Sequence, residues 1–265
     1  MSGYNKQNRD FMKCPSFSET LKTSDQAMGR PHPSHGKSYT NQLIDLHPFA
    51  ERPDSPVTEP SYQAILDKRR SVRRYDGSPM TQAQLAFMLY TAQGIQDYRG
   101  KDEAFTLRPV PSGGARHPFE TYIAVKNVDG LQPGLYYYSP IANVGEKKVS
   151  LAFLGPIGSG SNEDYENRIS EALANQAWAA QASVVMFLTC VPYRSEWRYK
   201  DLSHRVVLID LGHVGQNIML SAASLGLGSC CMAAYTQNIC DEILGVDGED
   251  EYTVYAVAVG REENY

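Results

Sequence analysis

Residues 205–228 read RVVLIDLGHVGQNIMLSAASLGLG, and this stretch says most about the fold. Apolar residues recur every three or four positions, which predicts a helix from Arg205 to Leu225 that ends at Gly226. Few charges follow Asp210, so most faces of this helix are apolar, and such a helix is buried. Burial against a second copy of the chain is as natural here as burial within one subunit.

The composition predicts a cytoplasmic protein with a substantial core. The chain has 265 residues, of which 42% are hydrophobic, and a net charge of −5. We expect no nucleic-acid partner, because no basic tail or stripe is present. We expect no membrane span, because no apolar run reaches the roughly 18 residues that one needs. The polar N-terminus does not resemble a signal peptide.

Strands and helices interleave irregularly on either side of the long helix. The predicted strands are 119–125, 134–139, 149–154, 183–191 and 252–259, and the other predicted helices are 61–70, one opening at 79–81, 164–180 and 237–244. Residues 192–203 are predicted to form a loop. Thr81 with Gln84 has the spacing of a capping box. No strand is followed by a glycine-rich turn and a helix, so an α+β sheet covered by helices fits better than a dinucleotide-binding fold.

The first 58 residues differ from the rest. They contain Pro15, Pro31, Pro33, Pro48, Pro53 and Pro56. Each proline removes a backbone donor and disfavours helix in the residue before it. We therefore divide the chain into an extended N-terminal arm, residues 1–58, that lies along a surface, and a domain formed by residues 59–265.

Five cations stand within the seven positions from Lys68 to Arg74, in an otherwise acidic chain. Guanidinium groups and the hydroxyl of Ser71 suit a phosphate well. A solvated basic face would have the same composition, so both interpretations stay open. Arg261, directly after the last predicted strand, could meet the same phosphate or be a surface charge.

Residues 109–118 form a second polar group, PVPSGGARHP. Adjacent Gly113 and Gly114 permit a flat ligand to approach the backbone, and Ser112, Arg116 and His117 supply polar groups beside it. An ordinary loop leading into the next strand is the alternative.

The cysteines and histidines predict no metal site. Five cysteines, at positions 14, 190, 230, 231 and 240, match no zinc spacing, and neither do the six histidines. Most of the cysteines are expected to be small buried residues, with Cys230 and Cys231 near a possible cofactor.

Taken in order, these motifs closely resemble the nitroreductase superfamily, in particular its SagB-type dehydrogenase branch. The resemblance runs from about Ser61 to Arg261. It rests on five matches, which are Arg69-Arg70-Ser71-Val72-Arg73, Pro111–Pro118, Gly134–Tyr138, Asp210–Asn217 with Leu225–Gly228, and Val259-Gly260-Arg261.

The resemblance implies a three-layer α/β/α sandwich with a central, mainly antiparallel sheet and an intertwined homodimer that binds FMN at the subunit interface. Arg69, Arg70, Ser71, Arg73, Gly260 and Arg261 would hold the phosphate or the polar ring edge. Pro111, Ser112, Gly113, Gly114 and Arg116 would form the loop at one flavin face. The backbone of Met232, Ala233 and Ala234 would approach flavin N5, although many family members carry an acidic residue in the place of Ala233.

The implied activity is hydride transfer through FMN between NAD(P)H and a small conjugated substrate, with Tyr199 and Arg198 in the substrate pocket. Branch members that oxidise peptide azolines carry a Lys-Tyr pair where this chain has Arg198-Tyr199, and arginine is a poor general base. Azoline dehydrogenation is therefore the second hypothesis. A non-catalytic flavin binder or redox sensor, and a structural dimer that has lost its cofactor, are further alternatives.

Overall fold

The structure is a computed structural model, and it describes residues 3–13, 16–40, 42–46 and 55–263. Cys14 and several of the arm's prolines lie outside the described residues.

A seven-stranded sheet forms the centre of the fold, and its strands follow the order β1-β6-β5-β4-β7-β9-β8. All of its strand pairs are antiparallel. A separate two-stranded ribbon pairs β2 with β3. The strands are β1 (Leu43–Asp45), β2 (Asp97–Arg99), β3 (Phe105–Leu107), β4 (Phe119–Val125), β5 (Gly134–Tyr138), β6 (Ser150–Gly155), β7 (Val184–Cys190), β8 (Gly228–Met232) and β9 (Tyr252–Gly260).

Helices cover both faces of this sheet. They are α1 (Gly3–Phe11), α2 (Phe17–Lys22), α3 (Tyr62–Lys68), α4 (Gln82–Gln93), α5 (Asn162–Ala172), α6 (Tyr193–Tyr199), α7 (Ser203–Ser224) and α8 (Gln237–Leu244). Side chains of β4 alternate between the faces, so Ile123 packs in one apolar cluster with α4 and α7, while Tyr122 packs in the other with α5 and α8. The three-layer α+β prediction is confirmed.

Local signals placed most of the elements correctly. Ser61 caps α3, and Thr81 with Gln84 forms the predicted capping box of α4. Two predictions were wrong. The helix predicted over 164–180 ends at Ala172, because Ala174 and Asn175 adopt left-handed φ angles of 55° and 61°. The loop predicted over 192–203 contains α6.

The N-terminal arm is not extended throughout, because it contains α1, α2 and the edge strand β1. It packs on the domain of the same chain. Lys37 donates a 2.8 Å hydrogen bond to the hydroxyl of Tyr122 and forms an ion pair with Glu251, which is buried. Farther along, the indole of Trp197 donates to the Arg30 carbonyl at 3.2 Å.

The helical run over Tyr193–Ser224 is long and apolar enough to pass a length-and-composition test for a membrane span. Neutral polar residues interrupt this segment, so the sequence contains no unbroken apolar run of that length. Of its most apolar 18-residue stretch, 56% is buried inside the structure, as in the core helix of a globular domain.

Candidate functional site

One side of helix α7 faces the core, and the opposite side is exposed. Val207, Leu211, Val214 and Ile218 pack in the core. On the opposite side, Leu208 and Ile209 are 51% and 53% exposed, and Gly212, His213 and Gln216 are exposed beside them. We call these five residues the outer face of α7. Large apolar side chains placed side by side on a surface mark an interaction site.

The arginine-rich segment runs along β8 and the C-terminal residues. The Val72 amide donates to the Ser229 carbonyl at 3.0 Å, and Ser71 bridges Ser229. Farther on, the Asp76 amide donates to the Arg261 carbonyl at 3.1 Å. The fold therefore brings residues 69–76 next to the start of β8 and the end of β9, as the phosphate hypothesis requires.

A basic cavity of about 240 Å³ opens at this corner. Its lining residues are Lys68, Arg69, Arg70, Val72, Met219, Ala223, Gly226, Leu227, Gly228, Ser229 and Glu262. Ser71, Arg73 and Arg261 do not line it. The guanidinium of Arg73 instead lies 5.7 Å from the ring centroid of Trp178. Among the described residues, no carboxylate lies within 4.0 Å of Arg69, Arg73 or Arg261, so their charges are free for an anionic ligand.

The end of β8 carries the residues predicted to approach flavin N5. Met232 is buried, whereas Ala233 and Ala234 are exposed. Cys230 is buried and Cys231 half-buried, and both thiols are free, as are those of the buried Cys190 and Cys240. Burial raises the pKa of Cys231 to about 11, so this thiol is protonated at neutral pH. Among the described residues, no group of three potential ligands could hold a metal ion.

The glycine loop is attached to α7 through Asp210, which is buried. The carboxylate accepts hydrogen bonds from the Ser112 hydroxyl at 2.6 Å and from the Gly113 amide at 3.0 Å. Burial raises the pKa of Asp210, while these two donors favour its charged form. Sequence reasoning missed this link, although a carboxylate in an otherwise apolar helix was its signal.

Replacing Asp210 by alanine is expected to lower the free energy of unfolding by about 2–4 kcal/mol, because bonds to a charged acceptor are lost and two donors are left unpaired. Chemical denaturation measures this change. Asp67→Ala, which removes an exposed carboxylate of α3, is the matched control. A difference below about 0.5 kcal/mol between the two variants would show that the Asp210 carboxylate does not anchor the loop.

The two glycines of the loop lie against α6 and α7. Gly114 has a φ of +58°, and a Cβ there would lie 2.7 Å from the Tyr199 hydroxyl and 2.6 Å from the Arg198 Cδ. A Cβ at Gly113 would collide with Val206. Ala115 and His117 also adopt positive φ, at 52° and 45°. Strained backbone conformations of this kind, in residues other than glycine, occur most often at functional sites.

Arg116 supports this loop from behind and is 3% exposed. Its Nε donates to the Gly114 carbonyl at 3.0 Å and an Nη donates to the Ala104 carbonyl. The guanidinium lies between the rings of Trp197 and Phe105, at 4.9 Å and 5.1 Å. Two of its nitrogens are thus committed to the backbone. Tyr199 is also buried, at 7% exposure, and its ring meets Phe17 of α2 edge-on at 5.6 Å.

The basic cavity and the glycine loop lie at opposite ends of α7. Met219 lines the cavity, whereas Val206 contacts the loop. These residues are 13 positions apart, which corresponds to about 20 Å along a helix. One chain alone therefore does not assemble the predicted site residues around a shared cavity.

Comparison with known proteins defines the family. The Nitroreductase family model matches residues 66–261, and the chain belongs to that family. Proteins of this family are oxidoreductases that generally bind flavin.

Individual relatives agree with this assignment. The chain is 34% identical over 205 residues to "Putative nitroreductase MJ1384" of Methanocaldococcus jannaschii. The aligned region covers 77% of this chain and 93% of that protein. It is 31% identical to the trifolitoxin-processing protein TfxB of Rhizobium leguminosarum bv. trifolii, over 60% of this chain and 40% of the relative. A crystal structure of a "putative nitroreductase" from Anabaena variabilis superposes with a TM-score of 0.62 at 24% identity, over 90% of this chain and 46% of that one.

Proposed function

We propose that this chain is an FMN-dependent oxidoreductase that acts as a homodimer. In each site, the Arg69–Arg73 segment comes from one subunit and the Gly113–Gly114 loop comes from its partner. One observation carries the proposal: the two groups of predicted flavin ligands lie at opposite ends of α7, with the exposed outer face between them. Two α7 helices packed antiparallel about a twofold axis would bring each cavity next to the other subunit's loop.

The outer face of α7 suits such packing. Leu208 and Ile209 supply apolar area, and Gly212 offers open space where a second helix can approach closely. A twofold axis repeats each contact, so one patch serves both subunits.

The residues of the basic cavity fit the phosphate of FMN. Arg69, Arg70 and the hydroxyl of Ser229 line this cavity and supply the donors that a phosphate needs. Arg69, Arg70, Ser71, Arg73, Gly260 and Arg261 would hold the phosphate or the polar ring edge.

The remaining predicted residues would surround the flavin ring. Pro111, Ser112, Gly113 and Gly114 would line one face, with Arg116 supporting them from behind. The exposed backbone at Ala233 and Ala234, beside Met232, would donate to N5. The bound flavin supplies hydride transfer, while the protein positions the substrate and excludes water. We infer that NAD(P)H reduces the flavin and that a small conjugated acceptor reoxidises it.

Peptide azoline dehydrogenation is the second candidate, favoured by the similarity to a trifolitoxin-processing protein. Arg198 counts against it, because a guanidinium rarely loses its proton and is a poor general base. Tyr199 remains available beside the loop, but its hydroxyl is buried against Gly114.

Purified protein is expected to show the absorbance bands of oxidised flavin and to lose them on anaerobic addition of NADH or NADPH. Added quinone or nitroaromatic acceptor should then restore the bands through many turnovers. A protein that binds FMN but completes no second turnover would identify a carrier or sensor. A preparation that stays colourless after FMN addition would instead indicate a dimer that has lost its cofactor.

A further inference from the structure

Helix α6 holds an unusual concentration of unsatisfied polar groups. Within the described part of the chain, four buried side-chain nitrogen or oxygen atoms have no hydrogen-bond partner, and three of them belong to Arg194, Ser195 and Arg198. Buried polar atoms without partners are rare, and an unfilled ligand site is one of their causes. Helix α6 is therefore the place to look for a ligand beyond the flavin.

Arg198 is the member of this group that borders the proposed flavin pocket. A Cβ at Gly114 would lie 2.8 Å from the Arg198 Nε, so this nitrogen touches the glycine loop. The guanidinium is 5.5 Å from the centroid of the Tyr199 ring. Arg198 is half-buried, so part of its side chain remains exposed to solvent.

The charge of Arg198 is not balanced within the described residues. Arg194, one helical turn earlier, forms a buried ion pair with Glu120. Arg198 has no carboxylate within 4.0 Å, and its one side-chain bond runs to the neutral Oε1 of Gln26. Arg116 lies nearby, and its burial, to which the like charge of Arg198 adds, lowers the pKa of Arg116 to about 10. Two cations brought together at a partly buried place are costly unless an anion joins them.

The N-terminal arm fixes the direction of this guanidinium. The side-chain oxygen of Gln26 accepts a hydrogen bond from Nη1 of Arg198, and the backbone amide of Gln26 donates to the Trp197 carbonyl at 3.0 Å. Phe17 closes the other side against Tyr199. With Nη1 held by Gln26 and Nε covered by the glycine loop, Nη2 of Arg198 remains for a ligand.

We propose that Arg198 binds a carboxylate of the acceptor substrate, with Arg116 adding positive charge from behind and Gln26 orienting the guanidinium. This inference rests on the proposed function, because it assigns the acceptor of the same pocket to the class of conjugated carboxylic acids. A carboxylate can take a charge-assisted hydrogen bond from the remaining terminal nitrogen, Nη2, while Gln26 holds the guanidinium in a fixed orientation. Arg198 is a binding residue here and takes no part in proton transfer.

Matched probes test the charge directly. Benzoate and benzamide have nearly the same shape, and 4-nitrobenzoate and 4-nitrobenzamide are the corresponding acceptors. Calorimetric titration of the FMN-loaded protein gives the dissociation constants of the first pair, and steady-state kinetics gives kcat/KM for the second. The wild-type protein is expected to prefer the anion of each pair by at least about tenfold, as one charge-assisted hydrogen bond would supply.

Variants locate the preference. Arg198→Met should reduce the benzoate-to-benzamide affinity ratio by roughly 10- to 100-fold. Arg198→Lys should reduce that ratio less, because lysine retains the positive charge but lacks the planar guanidinium. Arg168→Met, on α5 beyond the sheet, should leave the ratio unchanged. The NADPH-to-NADH preference should also stay unchanged in Arg198→Met.

Equal affinity of the wild-type protein for benzoate and benzamide would overturn the proposal while leaving the flavin function intact. A changed NADPH-to-NADH preference in Arg198→Met would also overturn it, since the anion would then be a phosphate of the nucleotide. Failure of the proposed function looks different: the purified protein would hold no flavin, or its flavin would not be reduced by NAD(P)H.

Discussion

Replacing Leu208 and Ile209 together by aspartate is expected to dissociate the proposed dimer and to release the proposed FMN cofactor in one step. Both side chains are about half exposed in the single chain, and the dimer would cover them. Burying unpaired carboxylates in an apolar contact is costly enough to raise the dimer dissociation constant by at least about 1000-fold. Analytical ultracentrifugation measures the mass, and the absorbance spectrum of the same sample measures the bound flavin.

The control is a second adjacent leucine-isoleucine pair on the surface. Leu43 and Ile44 on β1 are adjacent, 37% and 36% exposed, and lie at the edge of the sheet opposite β8, the strand that follows α7. Their double aspartate variant should remain dimeric and yellow. If the Leu208/Ile209 variant became monomeric yet kept its FMN affinity, the two-subunit site would be wrong even though the dimer face was right.

The second large effect is expected from Arg69→Ala combined with Arg73→Ala. Each charge-assisted hydrogen bond to a phosphate is worth roughly 1.5–3 kcal/mol, so the free energy of FMN binding should weaken by about 3–6 kcal/mol, or roughly 150- to 25,000-fold in affinity. Flavin-fluorescence titration measures the affinity. Trp178 reports on the same corner, because FMN binding should alter the environment of the Arg73 guanidinium that now lies over its ring.

Arg30→Ala combined with Arg99→Ala removes the same number of charges from exposed arginines that pair with Asp25 and Asp97. That control should keep the wild-type affinity, since exposed ion pairs contribute little. Equal FMN affinity in the Arg69/Arg73 variant and the wild type would rule out the phosphate assignment.

Much of the fold could be predicted from sequence because its signals are local. Phe119–Val125 and Gln237–Leu244 have the predicted bounds, and the Thr81 capping box sets the start of α4. These elements follow from side-chain periodicity and from bonds between residues three positions apart. Local signals therefore sufficed wherever tertiary contacts agreed with them.

Helix α6 shows where local signals fail. Its sequence, YRSEWRY, mixes charged and aromatic residues and lacks a helical stripe. Contacts distant in sequence hold it, namely the Arg194–Glu120 ion pair and the bond from Trp197 to the arm. Isolated helices of this length are unstable in water, so their position depends on tertiary packing.

The sequence proposes a set of residues for the candidate site but does not predict their arrangement. The arginine segment and the glycine loop stood out by composition; the structure places the first beside β8 and the end of β9, and the second against α6 and α7. Their separation along α7 could not be deduced, because it depends on the Asp210–Ser112 bond, whose partners are 98 positions apart. Likewise, nothing in the sequence linked Gln26 to Arg198, 172 positions later.

The placement of the arm has an evolutionary consequence. Phe17 and Gln26, which would border the proposed acceptor site, precede residues 66–261, the part of the chain that the family model matches. Lys37 ties this segment to Glu251 and Tyr122 on the sheet, away from the proposed flavin contacts. In the proposed site, acceptor preference would therefore change through substitutions in the N-terminal segment, while the elements proposed to hold the flavin would be under separate selection.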